Sequence, residues 1–270
     1  MRETDYQQPA FAAVGSEART SPPGLYHRAM TTIADQVRAD LAPDGVLRAA
    51  INLGNPVLAQ GDSQQPNGVT IDLAREIANR LDSEVRFTCF DAARKSFQEL
   101  AEGPATLGFL AVEPARAEQV TFTAPYVLID GVYAVPDAAP HHAPADVDAA
   151  GVRIGVKEGS AYDLFLSRTL EHATIVRGAD GTTTFAEQDL DVAAGIREPV
   201  TAYVASHPGL RVIDEPFMQI RQAVATKPTV RAETTGWLDA LLDELLASGF
   251  VADALRRSGQ SEKLAAPRTR

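Results

Sequence analysis

Arg116 is the residue whose type and position point most directly to chemistry. It follows the unbroken apolar run Gly108 to Val112 and the dipeptide Glu113-Pro114. Such a run reads as a strand covered on both faces, and the proline stops it and sets up a turn or helix start. A guanidinium just past the carboxyl end of a sheet strand stands where open α/β folds place ligands. Its planar fork suits a carboxylate. Ser160, in the stretch Gly159-Ser160-Ala161, is the second candidate. Its hydroxyl can cap the helix that follows, Asp163 can complete the cap, and a helix N-terminus attracts anions. Arg197 and Glu198, after the strand-like run Asp191 to Ile196, form a third group. Single acids such as Glu113 and Glu198 could act as general acids if desolvated. There is no G-x-S-x-G, no Walker loop and no metal-ligand spacing, so the sequence assigns no catalytic residue, metal or cofactor. His141 and His142 lie in a proline-rich stretch and read as solvated.

The elements that must carry these groups follow from periodicity. Residues 1–29 read as a flexible tail with Met30 as an alternative start, and Ile33, Val37 and Leu41 have helical spacing. Val46 to Leu53 and Glu84 to Phe90 read as strands. Between them Val69, Leu73, Ile77 and Leu81 mark a helix, and Ser96 to Glu102 predicts a short second helix. The β-α-β-α-β order implies parallel pairing with right-handed crossovers. Asp137 to Asp148, rich in Pro and Ala, reads as a linker and boundary. A second unit follows: strand Val152 to Lys157, helix Ala161 to Leu170, strand Ala173 to Val176 and strand Asp191 to Ile196. Arg211 to Ile213 and Gln219 to Ala225 return the chain, and Thr235 to Arg257 predicts one long final helix.

Composition narrows the function classes. The 270 residues carry a net charge of -11, which disfavours nucleic acid while leaving room for a local anion site. Cys89 is the chain's one cysteine, so no intramolecular disulfide forms, and its apolar neighbours make it a buried structural thiol. No apolar run is long enough to span a bilayer. The opening residues lack the apolar core of a secretory signal, and no lipobox cysteine is present. The sequence as written therefore points to the cytoplasm.

Glu113-Pro114-Ala115-Arg116, followed by Phe122-Thr123-Ala124-Pro125-Tyr126, resembles the signature of the family 3 solute-binding proteins. These are the amino-acid-binding components of ABC importers, with T-P-E-R before F-(S/T)-x-P-Y. The resemblance runs from Asp44 to Gln260. It implies a two-lobed α/β fold of the periplasmic-binding-protein type II class, with two parallel-rich mixed sheets joined by a two-strand hinge. Residues 30–134 and 216–270 would form one lobe and 135–215 the other. It also implies a monomer that captures a small carboxylate-bearing solute, with an ABC permease as partner and the periplasm as the family's usual compartment.

Within that likeness Arg116 anchors the carboxylate, and the Ser160–Ala161 turn closes over it. Ala111 stands where a hydroxyl is usual, Asn55 falls where an aromatic clamp is usual, and Phe109 could supply a wall. Ile196 occupies the position of the aspartate that pairs with a ligand ammonium. Either Glu198 turns inward as a substitute or the ligand has no α-ammonium, and the second reading is favoured, with Arg197 as a second positive contact. Cyclohexadienyl dehydratases share the scaffold, so a lyase using Glu113 or Glu198 is the alternative. A cytoplasmic sensor or interaction domain is a third reading.

Overall fold

Strands that are buried on both faces and helices with one apolar stripe dictate a layered α/β arrangement. In the computed structural model, which describes residues 33–268, that arrangement begins with a helix, α1 (33–41). The proposed tail and Met30 lie outside the described residues. Val37 and Leu41 of α1 are fully buried while Ile33 faces outward. Strand β1 (Val46–Asn52) pairs in parallel with β2 (Glu84–Phe90) on one side and β3 (Leu107–Ala111) on the other. Helices α2 (Val69–Arg80) and α3 (Ala93–Glu102) make the crossovers. The apolar run of β3 is buried at every residue, whereas β2, at the sheet edge, alternates between exposed and half-buried. Cys89 on β2 is therefore only partly buried.

After the short α4 (Pro114–Ala117), the chain enters β4 (Thr121–Pro136), a strand of 16 residues. A second parallel triplet follows, with β5 (Arg153–Lys157) between β6 (Thr174–Gly178) and β7 (Val192–Ile196). Helices α5 (Ala161–Thr169), α6 (Gly181–Glu187) and α7 (Arg197–Ser206) accompany it. Then come β8 (Leu210–Val212), β9 (Met218–Thr226), α8 (Ala232–Ala247) and α9 (Phe250–Arg257).

The strands form one nine-stranded mixed sheet in the order β2-β1-β3-β9-β4-β7-β5-β6, with β8 paired to β4. Two separate sheets were expected. They merge because β4 is long enough to pair with β9 from Thr121 to Gly131 and then with β7 from Gly131 to Ala134. The β4–β9 register shifts around Pro125, where the strand lacks an N–H.

The expected single C-terminal helix is in fact two. Gly249, with φ 81°, adopts the left-handed conformation that glycine alone takes freely and breaks α8 from α9. Both helices are tied to α2, where Arg80 pairs with Glu244 at 2.7 Å and Asp72 with Arg257 at 2.8 Å. The Pro/Ala-rich stretch is tied down as well. Asp146 accepts the N–H groups of His142 and Ala143, and Arg211 donates to the carbonyls of Ala139 and His141.

Candidate functional site

The carboxyl ends of β1, β3, β5 and β7 converge on a cavity of about 150 Å³ between the two triplets. Arg116 lines it and is 3% exposed. Its Nη1 donates to the Ala111 carbonyl at 3.3 Å, and its Nη2 donates to the Gly159 carbonyl at 3.0 Å, across the cleft. Burial pushes the guanidinium pKa down to about 10, opposed by the charge of Glu113, so the group stays protonated at neutral pH. Two carbonyl bonds leave much of a five-donor fork uncommitted.

The facing wall is the turn from β5 into α5. Ser160 lines the cavity, and its Oγ accepts the Asp163 N–H at 3.0 Å as the helix cap. Asp163, 3% exposed, accepts the Gly159 N–H at 2.8 Å and the Arg177 Nε–H at 3.0 Å. Gly159 has φ +68°, and a Cβ there would meet the Arg94 side chain at 2.9 Å, so both the turn and the close approach of the two halves call for glycine. Asp163→Ala removes an acceptor that serves Gly159 and Arg177 together. The expected cost is about 1–3 kcal/mol, read as a Tm lowered by roughly 2–10 °C in calorimetry. A Tm unchanged within about one degree would contradict this role.

Asn55, Phe109, Ala111 and Ala161 also line the cavity. Asn55 is buried, and its Oδ1 accepts the Val57 N–H at 3.1 Å, so its amide shapes the loop after β1. Phe109 packs edge-on against Tyr126 with ring centroids 6.1 Å apart.

Arg197 and Glu198 are not among the lining residues, although Ile196 and Pro199 on either side of them are. Arg197 turns away to Asp130 Oδ2 at 3.2 Å and the Asp214 carbonyl at 2.8 Å. Glu198 has one carboxylate oxygen buried without a hydrogen-bond partner, and desolvation pushes its pKa up. Glu113 is also outside the cavity lining, 3% exposed and paired with Arg168 Nη1 at 2.5 Å. Neither acid considered for a lyase mechanism lines the cavity.

The description "Bacterial extracellular solute-binding proteins, family 3" matches residues 47–259. The chain belongs to this family. No match was found among curated proteins. Among solved structures, a cysteine-binding protein from Campylobacter jejuni superposes with TM-score 0.66 at 22% identity, covering 83% of this chain and 92% of that one. An ArgBP variant from T. maritima gives 0.67 at 20% identity, with 84% and 99% covered. An ancestral amino acid-binding protein, described as a precursor of cyclohexadienyl dehydratase, gives 0.66 at 19%, with 84% and 98% covered. At these identities the likeness establishes the fold, the two-lobed type II arrangement.

In this family 3 solute-binding protein the two halves touch through charged groups around the cleft. Lys157 Nζ lies 3.1 Å from the Asp91 carbonyl and 3.3 Å from that of Gly54, Arg94 faces Glu158 at 3.6 Å, and Arg168 holds Glu113. Sequence reasoning missed Lys157, Gln222, Asn52, Tyr162 and Asp180 as lining residues. Lys157 was findable, because it ends the apolar run of β5 much as Arg116 follows that of β3. Gln222 carried a weaker signal, a polar side chain in the apolar phase of its strand.

Proposed function

We propose that this protein captures a small carboxylate-bearing solute, an amino acid or organic acid, between its two halves and delivers it to an ABC-type permease. The observation that carries this reading is Arg116: a cation 3% exposed, lining the cavity, with only backbone carbonyls as hydrogen-bond partners among the described residues. A buried charge is costly unless something opposes it, and a carboxylate would take two parallel N–H donors. Ser160 and the first turn of α5 add a hydroxyl and a partial positive charge from the opposite wall. The cavity's size favours a compact solute. Contacts from both halves would let the ligand favour the closed form by its differential affinity for that form.

Thermal denaturation across a panel of amino acids and organic acids tests the reading. A true ligand at a hundredfold excess over its Kd should stabilise by about 2.7 kcal/mol, a Tm rise of roughly 5–10 °C, and it should be recovered unchanged. If no carboxylate in a broad panel shifts Tm, the assignment fails; consumption of the ligand would replace it with an enzymatic one.

A further inference from the structure

We propose that Gln222 is the specificity-determining residue of the cleft, and that it reads a neutral oxygen, hydroxyl or oxo, beside the ligand's carboxylate rather than an ammonium. The inference rests on Arg116 being the carboxylate anchor. Gln222 is 6% exposed and lines the cavity, and its side-chain amide has no hydrogen-bond partner among the described residues. Its place is fixed by the sheet. On β9 it registers opposite Ala111 of β3 and Val127 of β4, and the Ala111 carbonyl is the one that accepts from Arg116. The amide therefore stands beside the anchor, on a central strand paired on both sides.

The charges around the cavity offer an ammonium little beyond one oxygen of Asp180. Its lining cations are Arg116 and Lys157, and its lining acids are Asp180 and Glu158. Asp180 is engaged through Oδ1 as the cap of α6, accepting the N–H groups of Thr182 and Thr183 and the Thr182 hydroxyl, which leaves its Oδ2 not already shared among the described residues. Glu158 is 58% exposed and faces Arg94 at 3.6 Å. The wall contributed by the end of β7 is apolar, through Ile196 and Pro199. A ligand ammonium near Arg116 would lose its hydration, meet a like charge and find an uncharged amide. A hydroxyl or oxo oxygen incurs no such charge penalty. The glutamine amide can donate to an oxo group and accept from a hydroxyl, so it serves either. The substrate class is thus α-hydroxy or α-oxo acids.

Calorimetric titration of the full chain with matched sets decides this: L-alanine, L-lactate and pyruvate, then L-leucine with its α-hydroxy and α-oxo counterparts. The oxygen-bearing member of a set should bind at least about 10-fold more tightly than the amino acid, since a site built to hydrogen-bond one group rejects its substitute. Gln222→Glu should move that ratio at least about 10-fold towards the amino acid, by supplying the missing counter-charge. Gln222→Leu should weaken the oxygen-bearing ligands about 10-fold and flatten the preference. An amino acid that binds wild-type protein as tightly as its partners overturns the proposal, as do variants that keep the wild-type ratio. Should either variant misfold, the wild-type ratio still decides. If no member of either set binds, or binding survives Arg116→Met undiminished, the anchor itself is misassigned and the inference falls with it. A preference for amino acids that does depend on Arg116 removes only the role given to Gln222.

Discussion

Arg116→Met should weaken solute binding by about 100-fold or more while leaving the ligand-free protein folded. Removing one partner of a buried, hydrogen-bonded charge pair costs about 2–5 kcal/mol, and the middle of that range gives more than two orders of magnitude. Methionine keeps length and apolar bulk, so the wall between β3 and α4 stays filled. The expected effect on the unliganded fold is small. Arg116 is held by two carbonyls rather than by a direct carboxylate pair, and its burial carries a desolvation cost that the substitution removes. Titration calorimetry and thermal denaturation, run together, separate the outcomes. An unaltered Kd would remove the site assignment. A large fall in unliganded Tm would show instead that Arg116 is principally a structural tie between the halves.

Arg168→Ala should loosen the closed arrangement and weaken ligand binding by roughly 5- to 30-fold. Glu113 is 3% exposed, and its partner Arg168 reaches it from α5, on the other side of the cleft. Without Arg168 the carboxylate would be left in a water-poor site with no side-chain hydrogen bond among the described residues. Breaking a fully buried pair typically costs about 3–5 kcal/mol. Arg168 is 41% exposed, so solvent screening brings the expected cost nearer about 1–2 kcal/mol. Opening the cleft hydrates Glu113, and that relief biases the equilibrium towards the open form. Small-angle scattering should record a larger radius of gyration. A second change, Glu113→Gln, should restore both compactness and affinity, because a neutral amide has less to gain from water. If scattering and affinity both stay at wild-type values, the pair is not a latch.

Sequence patterning captured the parallel triplets well, because continuous apolar runs such as Phe109 to Val112 and Ile154 to Val156 have few other uses. Helices α6 and α7 left weaker traces. Thr182, Thr183 and Thr184 are poor helix formers, and the start of α6 is fixed by the Asp180 cap instead. The merger of two expected sheets was not legible, since an apolar run does not say how many partners it serves. Site residues divide in the same way. Arg116 and Ser160 are positioned by adjacent strand and helix ends, so local reading reached them. The side chain of Arg197 is directed by Asp130 and Asp214, remote in the chain. Gln222 sits in Met-Gln-Ile-Arg-Gln-Ala-Val, out of phase with the exposed Gln219 and Arg221 and in phase with the buried Ile220 and Val224. The pleat puts it on the same face as Ile220, and its long-range register against Ala111 brings that position to the cleft.

The position of β9 also bears on how a ribosome delivers this protein. β9 lies between β3 and β4, yet it leaves the exit tunnel after every other strand of the sheet. Until residues 218–226 emerge, the flanks of β3 and β4 that it will cover present unpaired N–H and C=O groups to the cell. The nascent chain must therefore wait with its middle unzipped, the interval in which a holding chaperone would matter most.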